Sequence, residues 1–256
     1  MEEHQVEASP RMLSRAGGVL YLIIIVGGIF GELFVRGGLI VSGDPTATAE
    51  KIRSSELLWR VHIANELFML ICTTALALIF YILLRPVSRN LALLAVFFNL
   101  VSIALEAANE LNLLATLRLV GNAEYLRVLD PEQLHVLGYL PLQAYEYGFG
   151  VGLIFFGCEC LVLGYLIFRS AYLPRVLGVL MQITGLCYLT NSFAMILSPS
   201  LANQLLPAIL VPAFIGETSL CLWLLVKGVN GEKWKVQARA QPLDVRPPQS
   251  RAEASI

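Results

Sequence analysis

Long apolar stretches alternate with short polar connections along most of the 256 residues. A helix that crosses a membrane requires about 20 mostly apolar residues. Six stretches meet this requirement, at about 17–35, 61–84, 91–117, 143–168, 175–197 and 204–226. The pattern predicts an all-α polytopic membrane protein, in which residues 16–228 form a bundle of six transmembrane helices.

The two ends of the chain are polar and are predicted to lie outside the bundle. Residues 1–15 form an N-terminal tail, and residues 229–256 form a C-terminal tail that mixes prolines with charges and has no apolar period. Such a composition is typical of disordered segments. Arg11 and Arg15 precede the first apolar stretch, as in a signal peptide, but no convincing small-residue cleavage site follows it. We therefore interpret this stretch as a retained first helix.

Two of the longer connections carry a signal for the start of a helix. Asp44-Pro45 and Asp130-Pro131 each place a capping acid before a proline in the first turn. Gln133 then stands where the returning side chain of a capping box is expected. The pattern predicts two short helices that lie over one face of the bundle.

Composition indicates that lipid, and not water, is the main solvent of this chain. Only 14% of the residues are charged and 57% are hydrophobic, whereas soluble domains have about 25% and 45–50%. The net charge of −1 provides no basic excess for a nucleic acid. Twelve lysines and arginines fall on the side of the two termini and six on the opposite side. The positive-inside rule then places both termini in the cytoplasm of a cell whose plasma membrane holds the protein.

Seven glutamates lie inside the predicted spans, and no lysine or arginine accompanies them there. An ionised side chain at the bilayer centre costs roughly 2.5–3.5 kcal/mol, and such residues usually face the bundle interior. With a rise of about 1.5 Å per residue, four of these glutamates reach a similar depth, about 8 Å below the outer boundary. The seven are Glu32, Glu66, Glu106, Glu110, Glu146, Glu159 and Glu217.

Two polar stripes run along the second and third helices near this depth. One consists of Asn99, Ser102, Glu106 and Asn109, and the other of His62, Glu66, Met69 and Thr73. A tight hairpin joins the two helices, so the stripes can face each other. The candidate binding layer therefore consists of Glu32, His62, Asn65, Glu66, Glu106, Asn109, Glu110, Glu146 and Asn191.

Glu159 and Glu217 are predicted to lie apart from this layer, about 20–24 Å from the outer boundary. Glu217 follows two prolines and Gly216, which weaken the hydrogen-bond ladder of a helix. Broken helices in membranes often line cavities, although a simple packing kink explains the same pattern. Glu217 is therefore a second candidate site residue.

A purely structural role for the acids stays open at this stage. Arg36 and Arg60 are close enough in sequence to neutralise acids at the membrane boundary by extending toward it. Hydrogen bonds from Asn and Glu between helices also hold membrane bundles together, at about 0.6–2 kcal/mol each.

The sequence assigns no cofactor. Its three histidines, His4, His62 and His135, supply few nitrogen ligands for zinc, and an oxygen-rich cation site built from glutamates is chemically more natural. His135 is placed either to approach the layer or simply to lie at the interface. The five cysteines lack the spacing of metal or redox pairs, and no nucleotide-binding motif occurs. Gly27-x-x-x-Gly31 and Gly148-x-x-x-Gly152 are typical of close helix packing.

Several short motifs together extend over about residues 15–228. They include Leu84-Arg85-Pro86-Val87, Tyr172-Leu173-Pro174-Arg175 and Pro212-Ala213-Phe214-Ile215-Gly216-Glu217. In these motifs the chain resembles an uncharacterised bacterial family of integral membrane proteins, the domain of unknown function 4386. The resemblance implies a bacterial multi-pass membrane protein and brings no catalytic residues with it.

Three functions follow as alternatives. The leading hypothesis is a site for a small molecule, a lipid or a cation in the outer half of the bundle, which serves transport or sensing. The second is a membrane-embedded enzyme that uses Glu66, Glu106 or Glu110 as acid or base with help from His62. The third is a structural or partner-binding component. The lipid bilayer is the one partner that the sequence assigns, and the oligomeric state is left open.

Overall fold

A computed structural model describes residues 9–121 and 130–240, and within these ranges the chain is helical and contains no strand. The first helical rod comprises α1 (Pro10–Ile29), a π-helical segment (Phe30–Arg36) and α2 (Gly37–Leu39). The other helices are α3 (Pro45–Ser54), α4 (Glu56–Leu84), α5 (Arg89–Val120), α6 (Pro131–Arg169), α7 (Arg175–Leu197), α8 (Pro199–Leu205), α9 (Leu210–Val226) and α10 (Gly231–Ala240).

The predicted membrane bundle is confirmed. The first rod, α4, α5, α6 and α7 are each long and apolar enough to cross a membrane, and α8 with α9 makes a sixth span if the pair is counted as one. These two helices meet at a bend of 56° around Pro207, because a proline provides no backbone N–H to continue the ladder. Large apolar side chains remain exposed along the helices, as expected where lipid is the solvent.

The helix-start signals hold, but one of the two expected short helices is not separate. Asp44 accepts a hydrogen bond from the Ala47 N–H at 2.9 Å and starts the short helix α3. The amide oxygen of Gln133 accepts from the Asp130 N–H at 3.4 Å, yet α6 then continues for 39 residues through Pro141. At 1.5 Å per residue α6 is about 58 Å long, well beyond a bilayer core of about 30 Å. The short helix is not separate because no capping residue ends α6 after its first turns, and the apolar pattern resumes there.

The extra length of α6 forms a wall against which α3 lies. The Gly43 N–H donates to the Tyr139 hydroxyl at 3.2 Å, and His135 Nδ1 lies 3.3 Å from Thr46 Oγ1. Ile52 of α3 is fully buried underneath. We call this end of the bundle the lid end. The opposite end, where α1 begins and α9 ends, is the terminal end.

Two separate apolar clusters fill the bundle. The lid cluster is built around Trp59, Ile52 and Leu113, and the Trp59 indole N–H donates to the Leu113 carbonyl at 3.1 Å. The terminal cluster is larger and includes Leu83, Leu166, Met181, Leu220 and Leu224. The polar stripes lie between these two clusters.

Residues 231–240 form the helix α10, although the sequence predicts disorder for the C-terminal segment. This helix packs on the terminal end, where the Trp234 indole N–H donates to the Leu83 carbonyl at 2.9 Å. The Tyr172 hydroxyl donates to the same carbonyl at 2.6 Å, and burial raises the pKa of Tyr172 well above its usual value, so this donor stays protonated. The hydrogen bond of Trp234 anchors α10 on the bundle, and this contact outweighs the low apolar content of the segment. Residues 241–256 and His4 lie outside the described residues.

At the N-terminus, α1 already begins at Pro10, within the predicted tail. Ser9 caps it by accepting a hydrogen bond from the Met12 N–H at 3.2 Å. The Ser14 hydroxyl then accepts from the Val229 N–H at 3.2 Å. This bond ties the first and last parts of the bundle together, so the helix extends past the apolar stretch that predicted it.

Candidate functional site

The polar stripe on α5 is buried along its length. Asn99, Ser102 and Asn109 are 2%, 2% and 7% exposed. The Ser102 hydroxyl lies 3.0 Å from Oε1 of Glu106 and 2.9 Å from the Gly152 carbonyl on α6. The Asn109 amide donates to the Tyr145 carbonyl at 2.8 Å. Spacing of three and four residues put these side chains on one face of the helix, and α6 covers that face.

Glycines on α6 make this close approach possible. A Cβ atom built on Gly148 would overlap the Asn109 amide, and one on Gly152 would lie 3.1 Å from Cγ of Glu106. The predicted Gly148-x-x-x-Gly152 packing motif therefore lies directly against the polar stripe of α5. Small residues here admit polar side chains between two helices.

The second packing motif has the same relation to α4. The Asn65 amide donates to the Gly27 carbonyl at 3.1 Å. A Cβ on Gly31 would lie 2.5 Å from Oε1 of Glu66 and 2.9 Å from Cε1 of His62. His62 is 1% exposed, with Nδ1 3.4 Å from Oε1 of Glu66 and its ring edge-on to Trp59. The glycines of the first rod thus make room for the stripe on α4.

A small cavity lies where the two stripes meet. Its volume is about 10 Å³, about the space that one water molecule needs. Three carboxyl groups, one amide and one phenol ring supply most of its polar surface. Its lining consists of Glu66, Leu70, Glu106, Asn109, Glu110, Tyr145 and Phe149.

Arg36 supplies positive charge next to this cavity. Its side chain is only 14% exposed, and its guanidinium carbon lies 4.9 Å from the centre of the Tyr145 ring. The guanidinium is within electrostatic range of Glu66 and Glu110 and also pairs with Glu32 at 2.8 Å. Arg36 ends the π-helical segment, in which the additional residue per turn rotates the following side chains relative to a regular helix.

We refer to Arg36, Glu66, Glu106, Asn109, Glu110 and Tyr145 as the polar layer. If its three carboxyl groups were all ionised, one guanidinium would leave two negative charges uncompensated in a site of low dielectric constant. Such charges are costly unless a proton or another cation balances them. The composition of the layer therefore favours a bound positive charge.

The structure brings only part of the sequence-predicted layer together. The lining of the cavity includes Glu66, Glu106, Asn109 and Glu110. His62 contacts Glu66 but is not part of the lining. Glu32 is 64% exposed, with its carboxylate on Arg36, and Glu146 is exposed on the outer side of α6. The structure turns both side chains away from the cavity.

The remaining predicted members have other positions. Asn65 ties α4 to α1, and Asn191 is buried on α7 away from the lining of the cavity. Arg60 pairs with Glu56 at 2.7 Å and not with Glu66. His135 contacts Thr46 at the lid end.

Two important residues, Arg36 and Tyr145, are absent from the sequence-predicted layer. Tyr145 had a usable signal, since Leu142, Tyr145, Phe149 and Gly152 follow one three-four spacing that leaves Glu146 outside it. Arg36 had none, because regular helical spacing puts it on the same face as Glu32.

A second polar group lies deeper, toward the terminal end. Glu159, 3% exposed, accepts a hydrogen bond from the Asn99 amide at 2.7 Å. Glu217 accepts one from the Tyr188 hydroxyl at 2.8 Å. The two carboxyl groups interact electrostatically with each other, and Glu159 also with Glu106. The sequence placed both acids near one depth but did not predict that they interact electrostatically.

Several buried polar atoms of these two groups lack a hydrogen-bond partner among the described residues. They are the donor Nε of Arg36 and the acceptors Oε2 of Glu110 and Oδ1 of Asn99, and both ring nitrogens of the neighbouring His62 also lack a partner. No three His, Cys, Asp or Glu side chains within residues 9–121 and 130–240 are arranged as metal ligands. Unpartnered acceptors in a buried site indicate a hydrogen-bond donor such as a protonated group or water.

Comparison with known proteins agrees with this architecture without assigning an activity. No solved structure matches the chain significantly. An uncharacterized protein of the archaeon Archaeoglobus fulgidus is 28% identical over 167 residues, which cover 65% of this chain and 83% of that protein. Proteins similar to this chain are therefore not confined to bacteria. The model of the family described as "Domain of unknown function (DUF4386)" matches residues 16–228, and the chain belongs to that family.

Proposed function

We propose that this integral membrane protein binds a small cation in the polar layer and uses that site for transport or sensing. The observation that carries the proposal is the excess of acid: three buried or half-buried carboxyl groups line the cavity, and a single guanidinium, that of Arg36, lies over the Tyr145 ring beside it. Intramembrane acids that face the bundle interior commonly mark ion pathways. Oε2 of Glu110, on a residue 4% exposed, has no hydrogen-bond partner among the described residues and is available to a positive ligand.

The size of the cavity favours a cation over a lipid or a larger molecule. Sites for small organic molecules have volumes of about 300–1,000 Å³, whereas this cavity has about 10 Å³. An enzyme would in addition need its acid and base to meet a substrate, and the described lining of the cavity does not include His62.

In the proposed orientation both termini are cytoplasmic and the protein is in the plasma membrane. Support comes from the excess of lysine and arginine on the side of the termini. The lid end then faces outward, the polar layer lies in the outer half of the bundle, and α3 covers it. Residues 16–228 form the membrane domain in this arrangement.

The test replaces Glu66 and Glu106 together by Gln and measures cation binding. Purified protein in detergent is titrated with Na⁺, K⁺ or Ca²⁺ at constant ionic strength, and with acid, while thermal unfolding is recorded. At least one of these cations, H⁺ included, is expected to raise the Tm of the wild type. The double variant should lose this response and still elute as a folded species, because Gln retains hydrogen bonding without a charge.

The matched control replaces Glu32 and Glu146 together by Gln. Both are sequence-predicted acids of similar depth, but the structure turns them away from the cavity. This control should respond to cations as the wild type does. The proposal fails if no cation stabilises the wild type, or if the variant without Glu66 and Glu106 responds equally well. Native mass spectrometry of the purified protein identifies any metal or lipid that it retains.

A further inference from the structure

In the deeper polar group, Glu159 is buried and adjoins the terminal cluster, whereas Glu217 is half-buried. Glu159 lies beside Cys160, which is fully buried, and Leu163. The titratable groups that interact with Glu159 and Glu217 come from four elements. They are Tyr21 on α1, Glu106 on α5, Cys160 on α6 and Tyr188 on α7, and the two glutamates also interact with each other. No Lys or Arg of the described residues is among the groups that act on this pair, so two ionised carboxylates here would have no compensating charge.

The α5 stripe connects this pair to the polar layer. On antiparallel helices, Glu106 lies opposite Gly152 and Asn99 opposite Glu159, so seven residues separate the two levels on both α5 and α6. Seven residues correspond to about 10 Å. The Ser102 hydroxyl, at 3.0 Å from Glu106, occupies the intermediate turn. From Ser102 to Asn99 the rise along α5 is about 5 Å, or one turn, a distance that one water molecule bridges.

Asn99 provides a second, independent indication of what occupies this route. Its amide nitrogen donates to Glu159, while Oδ1 of the same amide has no donor among the described residues, although the residue is 2% exposed. A buried amide oxygen requires an N–H or O–H partner. A protonated carboxyl group or a water molecule supplies such a donor, whereas an ionised carboxylate has no hydrogen to donate.

We propose that the cation is the proton, and that it moves between the polar layer and the Glu159–Glu217 pair along Ser102 and Asn99. This inference rests on the proposed function, since it names the ion for the same site. In each step a protonated carboxyl gives one H⁺, directly or through water, to an ionised carboxylate. The donor becomes the carboxylate and the acceptor becomes the acid, and no other covalent bond changes. Tyr188 holds the Glu217 carboxylate by donating its hydroxyl hydrogen.

The experiment measures proton flux in liposomes that contain the full chain. A potassium gradient with valinomycin makes the interior negative, and a pH-sensitive dye inside reports acidification. The wild type should acidify the interior several-fold faster than protein-free liposomes. Glu159→Gln and Glu217→Gln should each reduce the rate to the protein-free level, whereas Glu159→Asp, which keeps a titratable carboxyl, should retain flux.

Glu146→Gln is the matched control, because Glu146 lies on the same helix as Glu159 but is exposed. It should conduct as the wild type does. Gel filtration and the Tm of each variant establish that it is folded before flux is compared. Wild-type protein that conducts no faster than protein-free liposomes would overturn the inference, and so would wild-type flux in both Gln variants.

The two proposals fail in different ways. If Na⁺, K⁺ or Ca²⁺ stabilises the polar layer but no proton flux occurs, the cation site stands and the proton route is wrong. If protons cross and the variant without Glu66 and Glu106 conducts normally and binds as the wild type does, the cation site in the polar layer is wrong.

Discussion

Arg36 determines the charge balance of the polar layer. Its guanidinium remains protonated in proteins, and it lies over the Tyr145 ring while it pairs with Glu32. It is therefore a fixed positive charge among groups that can gain or lose protons. The layer therefore has more carboxyl groups than positive charges. Its acids can exchange a proton while Arg36 remains as their counter-ion.

Replacing Arg36 by Met tests this role. Met keeps an apolar chain of similar reach but leaves Glu66 and Glu110 without a permanent positive neighbour. We expect the variant to be less stable by about 1–3 kcal/mol at neutral pH, within the range for removing one partner of a partly buried ion pair. The loss should diminish as the pH falls, because protonated carboxyl groups need no counter-ion. Denaturation in detergent across a pH series measures it.

Arg60→Met is the control for this prediction. Arg60 is 58% exposed and pairs with the exposed Glu56, and such surface pairs contribute about 0–1 kcal/mol. Equal losses in the two variants would show that Arg36 has no special role in the layer.

At the scale of elements, two glycine motifs decide how close the helices come. The motif on the first rod lies against the polar stripe of α4, and the motif on α6 lies against that of α5. The same contacts that pack the helices therefore also position the acids. The sequence showed the motifs and the stripes separately. It did not show that each motif receives a stripe, because that depends on which helices are neighbours.

Gly31→Ala and Gly28→Ala separate packing from helix propensity. A Cβ on Gly31 would meet Glu66 and the immobile His62 ring, whereas a Cβ on Gly28 has no heavy atom of the described residues within 4 Å. Glu66 can rotate away, but His62 is 1% exposed and cannot do so freely. We expect Gly31→Ala to be less stable than Gly28→Ala by about 1–3 kcal/mol, the usual range for overpacking.

Both substitutions gain a similar helix propensity, of about 1 kcal/mol, so the difference between them isolates the steric contact. Thermal or denaturant unfolding in detergent measures that difference. Similar stabilities for the two variants would contradict the close approach of Gly31 to His62.

At the scale of the whole molecule, a polar zone separates the lid cluster from the terminal cluster. Each cluster holds one end of the bundle together, and the cavity of the polar layer lies between them. Under the proposed function, the direction of the bundle in the membrane decides which solution supplies the ion.

A pair of cysteine variants tests that direction. Ser54→Cys lies on α3 at the lid end and Lys233→Cys on α10 at the terminal end, and both positions are exposed. A membrane-impermeant maleimide applied to intact cells should label the first variant and should label the second only after permeabilisation. The reason is the excess of lysine and arginine on the side of the termini.

The wild type is the control, because its five native cysteines lie within the spans and are buried or half-buried. Labelling of Lys233→Cys in intact cells, together with protection of Ser54→Cys, would reverse the orientation and place the polar layer in the inner half.

The amino-acid sequence alone determined the solvent, the helical membrane bundle and the capped starts of α3 and α6. These properties depend on local composition and on a fixed rise per residue, so they can be read without knowing which helices touch. Tertiary structure decided rotation and neighbourhood. The fold put Arg36 over the Tyr145 ring, the face of α6 selected Tyr145 over Glu146, and Glu159 came within electrostatic range of Glu217. Those outcomes depend on packing between segments distant in sequence, where one residue changes a side chain's direction by about 100°.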